Sequence, residues 1–359
     1  MTKRPFLHPD HSKAKAAPFA FSAGQVKPGE TASFEIPISR VSSGHLVTMP
    51  VRIVHGRKPG PVLFVSAAIH GDEINGVEII RQLLKKLSPR SLSGTLVCVP
   101  IVNVFGFVGN SRYLPDRRDL NRSFPGTPNG SLASQLAHIF RTEIIDHADF
   151  GIDLHTAAIH RMNLPQIRIS PGCEHSETLA LAFGAPAIIT SPLRDKSLRQ
   201  VALDDGVEML LFEAGEGLRF DDFSARTGLT GILRVMAAMG MLTSKRLRMP
   251  TPVPARATRS LWVRASRGGM CRLLAKSGDV VAAGQAVAMI ADPAGEDEEV
   301  ICAPIDGIVI GHACLPVVNR GDALMHIAEV KTFHSVGERV GEITDAILSD
   351  VMLDEDEVV

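Results

Sequence analysis

The stretch VLFVSAAIHGDEINGVEIIRQL, Val62 to Leu83, changes character in its middle. Val62 to Ile69 is a nearly continuous apolar run of strand length, the pattern of a strand buried on both faces. Beyond it Val77, Ile80, Leu84 and Leu87 recur at helical spacing. His70, Gly71, Asp72 and Glu73 stand between the two patterns. A strand that feeds directly into a helix is the first half of a βαβ crossover. Open sheets of this kind bind ligands at the carboxyl ends of their strands, which is where His70 and Glu73 fall.

The same alternation continues downstream. GTLVCVPIVNVFGF reads as a second buried strand, and DFGIDLH, QIRIS, AIITS and EMLLFEA as further short ones. Leu132, Leu136, Ile139, Phe140 and Ile144 mark a helix face, with Asn129 or Ser131 as its cap. DDFSARTGLTGILRVMAAMGML is a helix ending near Gly240. The expected fold is α/β: a mixed, mostly parallel sheet with helices on both faces, followed by a C-terminal all-β, barrel-like domain. Residues 1–31 are expected to form an N-terminal arm and 32–247 the α/β domain. The proline-rich RMPTPVPARATRS marks the change to the β domain of 248–330, and 331–359 form an acidic C-terminal tail that ends loosely in DEDEVV.

Bulk properties narrow the class. Net charge is -1, so no broad field attracts nucleic acid or an anionic membrane. No run reaches the roughly 18 apolar residues of a membrane span. The first residues, MTKRPFLHPDHSKAKAAP, lack the apolar core of a secretion signal. Cys98, Cys173, Cys271, Cys302 and Cys314 are odd in number and show no CxxC spacing, which fits a reducing cytoplasm.

Four stretches carry candidate chemistry. Gly71 permits a sharp turn between His70 and Glu73, so an imidazole and a carboxylate can converge, Glu73 from the first helical turn. These are two of the three protein ligands that a catalytic zinc usually takes. DLHT, Asp153 to Thr156, ends a second strand in a histidine; His155 lies 82 positions after Glu73, the short-then-long spacing of such a site. Asp153 either supports that ligand or serves structure, and Asp72 is either a helix cap or a ligand support. LLFEAGEG ends a third apolar run at Glu213, a partly buried carboxylate suited to shuttling protons. Glu216 is its rival, and a pairing of Glu213 with a core arginine is the structural alternative. NSRYLPDRRDLNRSFPG, Asn110 to Gly126, gathers four arginines in a loop punctuated by proline and glycine. Guanidinium forks bind carboxylates in two-point fashion, so the loop reads as a clamp on an anionic substrate.

HGDE, DLNR, DLHT and FEAGE, in that order on an α/β core, resemble the succinylglutamate desuccinylase/aspartoacylase family, relatives of the zinc carboxypeptidases. The resemblance spans roughly Gly44 to Met241 and continues into the β tail. It implies one zinc per chain on His70, Glu73 and His155, with Glu213 as general acid/base. It also implies Asn121 and Arg122 as binders of a substrate carboxylate, with Arg122, alone or together with Arg112, stabilising the oxyanion or holding that carboxylate. A further family arginine matches Arg112 best, with Arg118 as the alternative. The family's late pocket tyrosine has no counterpart after Tyr113, the chain's single tyrosine. The stretch from His160 to Arg168 takes its place as pocket wall, His160 included. EEVICAPIDGIVIG is similar to half of a biotinyl/lipoyl-type barrel, but the turn ADPAGEDEE lacks the carrier lysine, so that region is expected to act as a lid.

The expected activity is zinc-dependent removal of an acyl group from a small N-acylated amino acid or amine. A metallocarboxypeptidase or esterase on the same scaffold is the alternative, and a non-catalytic binding protein the remote one. No nucleic-acid or membrane partner is expected; exposed strand edges in the β region leave room for a homo-oligomer.

Overall fold

The computed structural model describes residues 16–243, 253–295, 297–330 and 333–349. The expected N-terminal arm up to residue 15 and the DEDEVV end lie outside the described residues, as does the start of the proline-rich linker.

A small hairpin, β1 (Phe19–Phe21) and β2 (Gly24–Val26), precedes the antiparallel pair β3 (Glu30–Arg40) and β4 (Leu46–His55). The opening apolar run becomes β5 (Lys58–Ala67), followed by α1 (Asn75–Lys86), β6 (Ser93–Val99) and a short α2 (Val104–Val108). The expected strand GTLVCVPIVNVFGF thus stops at Val99, and Asn103 starts the helix by accepting from the Gly106 N–H. Next come α3 (Leu132–Glu143), β7 (Phe150–Ala157), β8 (Arg161–Ile169), α4 (Glu174–Phe183) and β9 (Ala187–Thr190). The α/β region closes with α5 (Leu198–Asp204), β10 (Glu208–Glu216) and α6 (Asp222–Ala238). Helix starts are chemical: Ser131, Ser197 and Asp221 each accept from an N–H of the first turn of α3, α5 and α6.

Alternation along β5 decides the layering. Leu63, Val65 and Ala67 face α1, α4 and α6, meeting Ile79, Ile80, Phe183 and Leu229. Phe64 points the other way, onto Leu136 and Phe140 of α3 and the apolar face of α5. Ile79, Ile80 and Leu83 are fully buried, each stabilising the fold by roughly 1.5–3 kcal/mol.

The sheet is mixed rather than mostly parallel. Its centre, in the order β6-β5-β7-β10, is parallel, but β3, β4 and everything beyond β10 on the other flank pair largely antiparallel. The reason is local: a short return after Ala157 reverses the chain into β8, with no crossover helix, and β10 later pairs with both β7 and β8.

The C-terminal strands are β11 (Ala255–Ala257), β12 (Ser260–Arg264), β13 (Gly269–Leu273), β14 (Val280–Val281), β15 (Ala286–Ala291), β16 (Glu298–Cys302), β17 (Gly307–Ala313), β18 (Val317–Val318) and β19 (Ala323–Glu329). They do not stand apart. β17 pairs with β8, so β17, β19 and β12 extend the central sheet to thirteen strands, while β16, β15, β13 and β18 form a separate four-stranded sheet. The two layers share an apolar core of Val263, Val287, Ile290, Val309, Leu324 and Ile327. The chain then ends in α7 (Phe333–Leu348), whose buried Val336 and Val340 dock on Ile308 and Ile310. The expected tail is therefore a packed helix through Leu348, because its apolar residues recur on one face. No described helix is long and apolar enough to cross a membrane. All five cysteines are free.

Candidate active site

Ala68, at φ 52°, turns the chain after β5. His70 to Glu73 then form a tight turn, in which the Glu73 N–H donates to the His70 carbonyl at 3.1 Å. Glu73 therefore precedes α1 instead of lying in its first turn, and Asp72 does not cap the helix: the cap position is Ile74, with no side-chain bond. The Asp72 carbonyl instead accepts from the Leu218 N–H at 2.8 Å, joining this turn to the end of β10. Gly71 is needed for close approach. A Cβ there would sit 2.0 Å from the Gly106 carbonyl carbon.

The turn and β7 meet at Glu73. His70 Nδ1 lies 2.6 Å from Glu73 Oε1, and His155 Nδ1 lies 2.7 Å from Oε2. Donor atoms of all three residues fall within 4.8 Å of one another, and all three residues are buried, so together they can hold a metal ion. Each imidazole also has a carboxylate behind it. His155 Nε2 is 2.7 Å from Asp153 Oδ2, and His70 Nε2 is 3.2 Å from Asp119 Oδ1. Such partners fix the ring orientation and raise the basicity of a metal-binding imidazole. Arg112 adds a cation, donating to Glu73 Oε1 at 3.3 Å and to Asp119 Oδ2 at 3.0 Å.

The charges respond to this packing. Burial alone would raise the Glu73 carboxyl, but the two histidines hold it well below the usual range. Burial likewise opposes the positive form of His155, and the Asp153 and Glu73 carboxylates outweigh it and hold the ring well above its ordinary value. His70 is raised in the same way, burial being overcome by Glu73 and Asp119. Two imidazoles and one carboxylate, with aligned carboxylates behind, fit a divalent ion with a coordination position left for water.

β10 places Glu213 beside His155, the two being register partners on adjacent strands. The Asn163 side-chain amide donates to Glu213 Oε2 at 2.9 Å, and Arg168 Nε lies 3.6 Å from Oε1. Glu213 thus meets an arginine, yet it also opens on the same cavity as His70, Glu73 and His155, a space of about 650 Å³. Glu216 is engaged elsewhere, accepting from the His160 N–H at 2.9 Å. Gly215, at φ 77°, carries the register shift that separates these two glutamates.

Arg112, Asn121 and Arg122 line the cavity. Arg118 does not: its side chain is 63% exposed and faces Asp116. His160 is also absent from the wall. It sits exposed in the return between β7 and β8, at φ 65°, and its neighbour Arg161 lines the cavity instead. Several wall residues escaped the sequence argument. Arg194, Arg199 and Arg259 are among them, as are Trp262 and His326, whose rings stack 4.3 Å apart. Trp262 is the chain's single tryptophan, a signal that pointed to no location. Arg199 had a subtler one, a charged residue between Leu198 and Val201 on a buried helical face.

Comparison with known proteins agrees with this geometry. Residues 59–239 match the model of the succinylglutamate desuccinylase/aspartoacylase catalytic domain. The N-alpha-acetyl-L-2,4-diaminobutyric acid deacetylase of Halomonas elongata is 28% identical over 311 residues, covering 82% of this chain and 90% of its own. A crystal structure of a succinylglutamate desuccinylase/aspartoacylase from Rhodobacter sphaeroides superposes with a TM-score of 0.76 at 27% identity, covering 88% of this chain and 99% of its own. The product-bound ectoine utilization protein EutE (DoeB) from Ruegeria pomeroyi shares the fold, with a TM-score of 0.76 at 22% identity, covering 86% of this chain and 98% of its own. The order of the four motifs, the buried His–Glu–His group and the match over the α/β region together place this chain in the succinylglutamate desuccinylase/aspartoacylase family.

Proposed function

We propose that the protein is a zinc-dependent hydrolase that removes an acyl group from a small N-acylated amino acid. The observation that carries this is the convergence of His70 Nδ1 and His155 Nδ1 on Glu73, with Glu213 one strand away and arginines around both. Zinc held by His70, Glu73 and His155 would lower the pKa of a bound water to about 7 and polarise the acyl carbonyl.

The chain's own residues do the rest. Glu213 accepts the proton of the attacking water and returns it to the leaving nitrogen. Asn163, bonded to Oε2, keeps its carboxylate aimed into the cavity. Arg112 is already tied to Glu73 and Asp119, so it lends positive charge beside the developing oxyanion and is not free to grip a substrate. Arg122 is exposed on the cavity wall, with one nitrogen donating to the Asn121 carbonyl, and takes a substrate carboxylate. The β strands after residue 259 add Ser260, Trp262 and His326 to the cavity wall.

The test is to assay the zinc-loaded protein on N-acetyl, N-succinyl and N-formyl amino acids beside peptides and esters, with metal analysis of the purified chain. Hydrolysis of N-acyl amino acids with stoichiometric zinc is the expected result. Peptide trimming alone would replace this reading with a carboxypeptidase, and an inert, metal-poor protein would replace it with a binding role.

A further inference from the structure

We propose that Asn163 is a positioning residue for the Glu213 carboxylate and that Gly311 of β17 is the seat that lets it act, so that the C-terminal strands take part in setting turnover. The inference rests on the reading of Glu213 as the proton shuttle of a deacylase. The contact itself stands on geometry.

Local sequence explains why Asn163 is in place. β8 carries Pro165, which has no N–H to give to a neighbouring strand. Around it β8 holds one residue more than β10: Glu213 pairs with Gln166, but Gly215, two residues on, pairs with Asn163, three residues back. An extra residue in one strand re-aims the side chains beside it. Asn163 lines the cavity together with Glu213, while Leu164 is buried with Ile308 and Ile310. The Gln166 side chain ties this irregular stretch to β17, donating to the Ile310 carbonyl at 3.1 Å.

Register then sets a row of residues across four strands. Asn163 on β8 pairs with Gly311 on β17, Gly311 with His326 on β19, and His326 with Trp262 on β12. Asn163, His326 and Trp262 all line the cavity. Gly311 is the member of the row without a side chain, and space is the reason. A Cβ there would lie 2.7 Å from Asn163 Oδ1, closer than real contacts allow. The amide thus rests its oxygen over β17 and extends its nitrogen toward β10, where Nδ2 donates to Glu213 Oε2 at 2.9 Å.

Among the described residues this is the one side-chain hydrogen bond that reaches the Glu213 carboxylate. Arg168 Nε stands off at 3.6 Å from Oε1 and makes no hydrogen bond. Asn163 is only 9% exposed, so little water competes for the bond. A glutamate side chain is long, and a carboxylate held at neither oxygen samples several directions. Held at Oε2 by a neutral amide, it leaves Oε1 for the proton of the attacking water. Misplacing a reacting group by about 1 Å costs roughly 10²-fold in rate.

The test uses zinc-loaded full-length protein and the compound turned over fastest in the N-acyl panel above. Asn163→Ala is expected to lower kcat by about 10- to 100-fold, with KM and zinc content nearly unchanged. The discriminating measurement is the same substitution combined with Glu213→Gln. There Asn163→Ala should leave kcat nearly as it was, because residues that act as a unit do not add. Gly311→Ala pushes the amide aside and should lower kcat by about 10-fold, and it carries the test if Asn163→Ala does not fold. Combined with Asn163→Ala, Gly311→Ala should add no further loss, since the atom it would strike is gone. Crystal structures read the seat without an assay: the Nδ2–Oε2 bond is expected in the parent and lost in Gly311→Ala. An Asn163→Ala loss of equal factor with and without Glu213→Gln would overturn the positioning role and leave the deacylase reading intact. An unchanged kcat in Asn163→Ala, or a Gly311→Ala structure that keeps the bond, would do the same. A parent protein that hydrolyses no N-acyl compound would overturn the deacylase reading, while displacement of the amide in Gly311→Ala would still uphold the seat.

Discussion

Asp153 holds His155 by its far nitrogen. Asp153 Oδ2 lies 2.7 Å from His155 Nε2, while Asp153 Oδ1 accepts from the buried Ser66 hydroxyl at 2.7 Å. The two residues lie two apart on β7, so they share one face of the strand. Their bond leaves Nδ1 as the atom facing Glu73. Asp153→Asn is therefore expected to weaken zinc affinity by about 10- to 100-fold, with activity recovered in excess zinc. A competition titration against a chelator measures it, and unchanged affinity would mean that Asp153 serves only the strand.

Glu213 is read as the proton shuttle, and it touches none of the metal-binding atoms. Glu213→Gln should keep the metal and lower kcat by about 10²- to 10⁴-fold. His155→Ala, in contrast, should lose the metal itself. Normal kinetics in Glu213→Gln would remove that residue from the mechanism.

Gly71 packs its α-carbon against the Gly106 backbone, with room for hydrogen only. Gly71→Ala pushes the His70–Glu73 turn away from α2. The expected cost is about 1–3 kcal/mol or more, read by urea denaturation, together with weaker metal retention. A variant as stable and as metal-rich as the parent would show that the turn can shift freely.

His326 gives a pH signature. Burial, aided by Arg168, pushes its ring down to about 3, so it stays neutral in the folded chain while an unfolded one protonates near 6.5. Between those values the unfolded state binds more protons, so stability falls as pH falls below about 6.5. At pH 5 this single group costs about 2 kcal/mol relative to pH 7. His326→Gln should remove that part of the acid loss, seen as a smaller difference between denaturation midpoints at pH 7 and pH 5. An identical acid loss in the variant would assign it to other groups.

Much of the site was legible because strand exits announce themselves. Apolar runs end in histidine at Ile69–His70 and again at Leu154–His155, and these two residues come together with Glu73 as a group able to hold a metal ion. The same logic found Glu213. It misplaced His160, because a residue next to a strand can turn either way, and here a left-handed backbone sends it to the surface and Arg161 to the cavity. It left Arg112 and Arg118 undecided, since a loop without periodicity carries no information about which guanidinium turns inward. The mostly parallel sheet was a similar limit: periodicity reports burial, not strand direction.

By itself, then, the sequence determined the α/β core, its crossover at His70 and the residue types able to hold a metal, because these depend on local patterns of apolar and polar groups. Tertiary structure alone decided that β17, β19 and β12 continue the central sheet and bring Trp262 and His326 to the cavity. It also decided that Arg168 and Arg199 meet there with N–H groups unanswered. Those facts depend on which distant strands share hydrogen bonds and on which charges lack a partner in space, and neither is written in the spacing of residues along the chain.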